Sequence, residues 1–301
     1  MELRTLKYFL AVAEEGNISN AAKLLHVSQP TLSRQLASLE TEFGRELYTR
    51  GRDGVELTEY GTILQNYASS IVSLADKAEA DMAMPAKSVK GVVHIATGDS
   101  QVVGLIAEAM KRVRRDYPDI SFELTTGTSA QLMEDLIKGF HDVMLECELK
   151  AHAKMNVMRL PKMDTWGVLM RSDDELAAKD AITAQDLLDR PIIASQQGSR
   201  VGVLAAWLGG YADKLEVVAI YNLPLNCKFL VREGLGVALT YKGLFDCEAG
   251  DLCFRPLDPP VESVQGIIWR KSLPTKQTQI FLDTLRQVCD EYTESLPPLL
   301  T

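Results

Sequence analysis

Ile18-Ser19-Asn20-Ala21-Ala22-Lys23-Leu24-Leu25-His26-Val27-Ser28-Gln29-Pro30-Thr31-Leu32-Ser33-Arg34-Gln35-Leu36 is the stretch on which the reading of this chain turns. It predicts two short helices joined by a tight turn at His26-Val27-Ser28. Ser19 is a suitable N-cap for the first, and Ala21 and Ala22 are small enough to let another helix approach closely. Ser28 caps the second, with Pro30 in the first turn, where a missing N–H costs nothing. At about 100° per residue, Leu32, Leu36 and Leu39 fall on one side of that helix. Pro30, Ser33, Arg34, Ala37 and Ser38 fall on the other, with Gln29 and Thr31 at its exposed start.

That outer face is short, polar and cationic. Short side chains let a helix backbone come close to the major groove of DNA, where Gln29 can pair with an adenine edge and Arg34 with phosphate or guanine. A solvated face of an ordinary amphipathic helix would carry the same residues, so the neighbouring segments decide. Upstream, Leu6, Phe9, Leu10 and Ala13 recur at helical spacing and predict a first helix ending near Glu15-Gly16. Downstream, Leu47-Tyr48-Thr49-Arg50 and Val55-Glu56-Leu57-Thr58 flank Gly51-Arg52-Asp53-Gly54 and predict two short strands joined by a turn. A hairpin beside such a helix is a wing, and Arg50 and Arg52 at its tip would meet phosphates or the narrow minor groove.

With these pieces in place the chain resembles the LysR-type transcriptional regulator family. The resemblance runs through the quoted stretch and continues at Leu39-Glu40, Phe43-Gly44, Leu47-Tyr48, Arg50, Leu57-Thr58 and Gly61. It implies major-groove contacts from Ser28, Gln29, Pro30, Thr31, Ser33 and Arg34, with Ser38 on the same face and Arg50 and Arg52 on the wing. Some positions depart from the family pattern: farther along, Thr240-Tyr241 stands where many members have Leu-Pro, Tyr48 where Phe is usual, and Ala37-Ser38 where many members carry Arg or Lys. Fewer cations there weaken the expected hold on phosphate.

From Thr58 the chain is helix-forming to about Met84, and Tyr60, Leu64, Tyr67, Ile71, Leu74 and Ala78 alternate spacings of four and three. That is a heptad seam, which a second copy of the same helix would bury, giving a dimer. Packing along its own domain is the alternative. Pro85 should end the helix, with Ala86-Lys87-Ser88 as a hinge.

Beyond Gly91 strands alternate with helices, the pattern of parallel sheets with crossover connections. Strands are expected at Val92-Val93-His94-Ile95-Ala96-Thr97, at Ile120-Ser121-Phe122-Glu123-Leu124-Thr125 and at Val143-Met144-Leu145. A second set follows at Trp166 to Met170, Pro191 to Ala194, Leu215 to Ile220 and Val237 to Thr240, and Gly266-Ile267-Ile268-Trp269 comes last before a helix from Gln277. The spacing of Leu136-Ile137-Lys138-Gly139-Phe140-His141-Asp142-Val143 and of Arg232-Glu233-Gly234-Leu235-Gly236-Val237-Ala238-Leu239 resembles the effector domain of the same family. The resemblance implies an all-α winged helix-turn-helix domain (1–58), a dimerising linker helix and hinge (59–90), and a two-lobed α/β effector domain similar to periplasmic binding proteins (91–301), with the last strand and helix returning to the first lobe. Lobe I takes 91–161 and 267–301, and lobe II takes 162–266.

In open α/β sheets ligands bind off the carboxyl ends of strands, where helix N-termini offer free N–H donors. That rule selects Thr97, Ser100, Gln101, Thr128, Ser129, Ser195, Gln196, Gln197 and Asn222, with Arg200 near enough to help. Such donors suit a polar or anionic effector, although Ser and Thr before helices also serve as plain caps. A cysteine pair, Cys247 and Cys253, leaves redox sensing as an alternative, with only Arg255 placed to depress a thiol.

Composition fits this reading. At 301 residues, 46% hydrophobic and 24% charged, the chain is long enough for two or three domains with real cores. Its formal net charge of −9 argues against coating nucleic acid nonspecifically, while leaving room for a local basic site. The five cysteines and four histidines show no metal-ligand spacing, so neither metal nor cofactor is expected. There is no nucleophile with a base, no phosphate-cradling loop, and hence no expected enzyme. The first residues do not read as a leader and no apolar run approaches ~18 residues, which points to the cytoplasm and away from a membrane. The expected partners are operator DNA, a small-molecule effector, further copies of the chain as dimer or tetramer, and RNA polymerase. A solute-binding protein for transport is the competing function.

Overall fold

The computed structural model describes residues 1–51, 54–82, 89–196, 202–247 and 250–295. Arg52, Gln197, Arg200 and the expected hinge at 85–88 lie outside the described residues, as does the side chain of Arg50. The chain divides into two compact units, Met1–Met84 and Pro85–Thr301.

In the first unit α1 (Leu3–Glu15) stops at Gly16, whose left-handed φ of 59° lets its N–H return to Val12 O. Helix α2 (Ile18–Leu24) is capped by Asn17, whose Oδ1 accepts from the N–H groups of Ser19 and Asn20. Ser19, expected as the cap, therefore sits inside the first turn: the side chain two residues earlier reaches the free donors and takes the role. Helix α3 (Gln29–Phe43) begins as expected, with Ser28 Oγ accepting from Thr31 N–H and Pro30 in its first turn. Leu32, Leu36 and Leu39 are buried against Leu6, Phe9 and Val12 of α1 and Ala21 of α2. Strands β1 (Tyr48–Gly51) and β2 (Gly54–Leu57) form the antiparallel hairpin. Val55 N–H donates to Gly16 O at 2.7 Å, and a Cβ on Gly54 would run into that same oxygen, so hairpin and α1 close on each other. Thr58 caps α4 (Glu59–Met82) by accepting from Gly61 N–H, and Lys7 ties α1 to α4 through Asp76 at 2.7 Å.

The second unit begins with β3 (Gly91–Thr97), α5 (Val103–Asp116), β4 (Ile120–Thr126), α6 (Ser129–Lys138) and β5 (Val143–Glu146). Then comes β6 (Met155–Arg171), followed by β7 (Pro191–Ser195), α7 (Val203–Leu208), β8 (Glu216–Tyr221), α8 (Pro224–Arg232), β9 (Val237–Tyr241), β10 (Leu252–Pro256), β11 (Glu262–Arg270) and α9 (Lys276–Ser295). The strand order is β4-β3-β5-β11-β6-β9-β7-β8, with β10 also on β6. Pairing is parallel among β3, β4 and β5, and again among β7, β8 and β9. Between the two sets run β6 and β11, paired antiparallel from Met155↔Arg270 to Thr165↔Glu262. Beyond that, β6 pairs with β9 and β10.

Each parallel set has its own core: Ile95, Ile106, Leu145, Ile267 and Phe281 in the first, and Val168, Ile192, Leu204, Leu239 and Leu257 in the second. The sequence reading placed no strand between Leu145 and Trp166, whereas β6 begins at Met155 and runs on for 17 residues. Pro161 concealed it, because proline cannot donate to a ladder. The register shifts between Val264 and Gly266 in the partner strand opposite Pro161, so no donor is needed there.

Candidate nucleic-acid interface and effector cleft

The α3 surface is assembled as its spacing predicts. Ser28, Gln29, Pro30, Thr31, Arg34 and Ser38 are exposed, Ser33 is half-buried, and all lie opposite the buried leucines. Within the helix Gln29, Ser33 and Arg34 are already partnered: Gln29 Nε2 donates to Ser33 Oγ at 3.1 Å and Arg34 Nε to Pro30 O at 3.2 Å. Any base or phosphate contact exchanges a local bond for an external one, so it costs no unpaired polar group. Arg45, which the sequence reading passed over, lies with its guanidinium 4.7 Å from the centre of the Tyr60 ring, adding an exposed cation at the start of α4.

On α4 the expected seam is mostly open. Tyr60, Tyr67, Ile71 and Ala78 are exposed and Leu74 half-buried. Leu64 departs from it, packing with Ala68 and Val72 against the helical core of its own unit. Ile63, 47% exposed, takes its place on the outer side. The reason is that α4 carries two apolar stripes, and Leu64 belongs to the one at spacing four that faces α1.

In the second unit a cavity of about 550 Å³ opens where the two parallel sets face each other. As the strand-end rule requires, its lining comes from the carboxyl ends of β3, β5, β7, β8 and β9 and from the N-terminus of α6. Thr128, Ser129, Ser195, Gln196 and Asn222 line it as expected. Thr97, Ser100 and Gln101 do not. Thr97 is buried and its hydroxyl donates to Gly98 O. Ser100 is buried, capping Val102 N–H and bonding the Asp164 carboxylate, and the Gln101 side chain lies against Gly243. Local bonds took the two hydroxyls, as they often do before helices, and a contact distant in sequence took Gln101.

The sequence reading missed the charged and aromatic part of the lining: Asp99, Glu146, Glu148, Lys150, His152 and the pair Trp166 and Tyr241. Its signal was present in Glu146-Cys147-Glu148 at the end of β5, the same strand-end position that picked the hydroxyls. Glu146, 6% exposed, accepts from His152 Nε2 at 2.7 Å and from Lys150 N–H at 3.1 Å. Glu148 accepts from Val203 N–H at 2.9 Å. The Trp166 and Tyr241 rings pack with centroids 4.3 Å apart, and Ser263 receives bonds from both Trp166 Nε1 and Tyr241 Oη. Burial pushes the Cys147 thiol up to about 12, with Asp164, Asp99 and Glu146 adding to the effect. The Tyr241 hydroxyl is raised by burial first, then by Cys147, Asp164 and Glu148. Desolvation also holds the Asp99 carboxyl above its ordinary range.

Comparison with known proteins follows the same division. A family model described as "Bacterial regulatory helix-turn-helix protein, lysR family" matches residues 3–62, and one described as "LysR substrate binding domain" matches residues 86–290. The chain is 28% identical over 229 residues to the HTH-type transcriptional regulator TfdT of Cupriavidus pinatubonensis (strain JMP 134 / LMG 1197), covering 74% of this chain and 92% of that protein. It is 29% identical over 277 residues to the Hca operon transcriptional activator HcaR of Escherichia coli (strain K12), covering 90% of this chain and 92% of that protein. Among solved structures, full-length CbnR complexed with its target DNA matches with a TM-score of 0.73 at 22% identity, over 96% of this chain and 100% of that one. At that identity the likeness speaks for the fold.

Proposed function

The chain belongs to the LysR family of transcriptional regulators, DNA-binding proteins controlled by a small-molecule effector, and from that premise we propose which of its surfaces do the work. It reads operator DNA with the exposed face of α3, through Gln29, Thr31, Ser33 and Arg34, with Ser28, Pro30 and Ser38 setting close approach and the wing arginines Arg50 and Arg52 on phosphates. It takes its effector in the cleft between the two parallel sets. It pairs with a second copy through the outer stripe of α4, and two-fold pairing presents two α3 helices to half-sites. The observation that carries this is the segregation of α3: three buried leucines on one side and small, polar, exposed residues on the other.

The effector acts by changing the relation between the two parallel sets about β6 and β11, and through that the disposition of the paired subunits on DNA and toward RNA polymerase. The protein works by binding and not by catalysis, in the cytoplasm where promoters are; no helix among the described residues is long and apolar enough to cross a membrane. Thiol switching is the weaker reading, since burial raises the thiols of both Cys247 and Cys253 and so lowers their thiolate fraction. Transport solute binding has no use for residues 3–62.

The test is selection of fragments from sheared genomic DNA by the purified full-length protein. Enrichment of a site with two related half-sites spaced by whole helical turns is the expected outcome. Recovery of fragments without a shared sequence overturns the reading.

A further inference from the structure

The charge and the aromatic wall of the cleft together narrow the class of effector it takes. Asp99, Glu146 and Glu148 line the cavity, and among the described residues no hydrogen-bond donor reaches either Asp99 oxygen, Glu146 Oε1 or Glu148 Oε2, since His152 and Lys150 N–H use the other oxygen of Glu146 and Val203 N–H the other oxygen of Glu148. Against these acceptors the described lining sets one unpartnered cation, Lys150, because the imidazole of His152 is already engaged by Glu146. An anion entering here approaches three carboxylates at once, at distances where like charges repel. A protonated amine meets the opposite situation: it brings three N–H donors to a set of unfilled carboxylate acceptors. Trp166, itself only 4% exposed, and the half-buried Tyr241 border the same lining, and aromatic rings there favour a cation over an anion; Ser263 holds both rings in place. Met133 and Leu244 supply apolar surface on the lining, enough for a small hydrocarbon body.

We propose that the effector is an organic ammonium, a protonated amine on a small apolar or aromatic body, held in this cleft by Asp99, Glu146 and Glu148 against the Trp166–Tyr241 wall. The proposal rests on the cleft being the effector site, and it replaces the anionic ligand expected from the hydroxyls and amides alone. Asn222, one of those groups, lines the same cavity and can meet the polar end of the molecule.

The experiment is titration calorimetry on the full-length protein at pH 7 with two matched pairs of probes, butylamine against butyrate and 2-phenylethylamine against phenylacetate. In each pair the amine binds at least tenfold more tightly than the carboxylate. Asp99→Asn and Glu148→Gln each reduce that ratio at least threefold, and raised salt narrows it further. An amine that binds no more tightly than its carboxylate partner, undetectable binding included, overturns the proposal, as does a ratio untouched by both substitutions. Met133→Trp, which fills the cleft, separates the two readings. Amine binding that survives it places the site elsewhere and removes the premise. Loss of binding in that variant, combined with no preference for amine in the wild type, keeps the cleft and removes the ammonium.

Discussion

The carboxylate of Glu148, on the loop after β5, accepts the backbone N–H of Val203 at the start of α7, 2.9 Å away, and so joins the first parallel set to the second across the cleft. Gly202, immediately before, has φ of 107°, a conformation open to glycine and strained for other residues. A Cβ there would collide with the Glu148 carboxylate itself.

Gly202→Ala therefore acts twice, through backbone strain of about 1–3 kcal/mol and through eviction of Glu148. The full-length protein should melt at lower temperature. Glu148→Ala alone loses a charge-assisted bond, about 1.5–3 kcal/mol. In the Glu148→Ala background the alanine at 202 should cost less than in wild type, because only the strain remains. Calorimetric melting of the four proteins in this cycle measures the coupling; strictly additive losses would show that the two residues act independently.

On α3, Gln29→Ala and Arg34→Ala should each weaken specific DNA binding by about 1–3 kcal/mol, the usual worth of a good side-chain contact to a base or its flanking phosphate. Both side chains are exposed and bonded only within their own helix, so neither truncation should move the melting temperature noticeably. Gel-shift titration at two salt concentrations separates them. A Gln29 effect should stay constant with salt, and an Arg34 contact to phosphate should flatten the salt slope. Unchanged affinity in both variants would remove α3 from the interface.

How much of this was legible beforehand depends on which force fixes each residue. The helix-turn-helix, the wing and the cap at Ser28 follow from periodicity and local hydrogen bonding, both visible in sequence. Asn17 displaced Ser19 because the helix starts two residues earlier than expected, with Asn17 Oδ1 accepting the N–H of Ser19 itself and of Asn20, a choice of start that spacing does not resolve. In the cleft, Thr128 and Ser129 were found from their place before a helix, whereas Thr97 and Ser100 obeyed the same rule and were drawn into local bonds. Glu146, Trp166 and Tyr241 come together only through the pairing of β6 with β9 and β11 with β5, contacts distant in sequence. Leu64 fits a heptad and an inward stripe equally well, and only the position of α1 decides between them.

The two stripes of α4 should separate by mutation. Tyr67→Asp with Ile71→Asp places charges on exposed apolar positions of the outer stripe, 67% and 40% exposed, and should shift the full-length protein toward monomer without changing its melting temperature at limiting dilution. Leu64→Ala removes packing from the core of the first unit instead, and for a half-buried leucine the cost should lie at or below the ~2–5 kcal/mol of a fully buried one, with subunit association kept. Sedimentation velocity and thermal melting distinguish the two. A dimer that survives both aspartates would move the interface off this stripe.

Asp164 supplies a pH test. It lies in β6 opposite Ser263 of β11, is 2% exposed, and takes hydrogen bonds from Gln265 Nε2 at 3.1 Å and from the Ser100 hydroxyl and Gln101 N–H. Burial outweighs these bonds and raises its carboxyl above the ordinary value of 3.8. A raised folded-state value means that the native protein holds this proton at pH values where the unfolded chain has released it. Its contribution to stability is thus largest at and below the unfolded value and declines as pH rises through the folded one, after which it is constant. Asp164→Asn keeps the shape and cannot ionise. The difference in unfolding free energy between wild type and this variant should therefore fall with rising pH across that window and level off above it, as read from urea titrations at a series of pH values from 4 upward. A difference that rises with pH instead would mean that the three donors hold the carboxylate more strongly than burial opposes it.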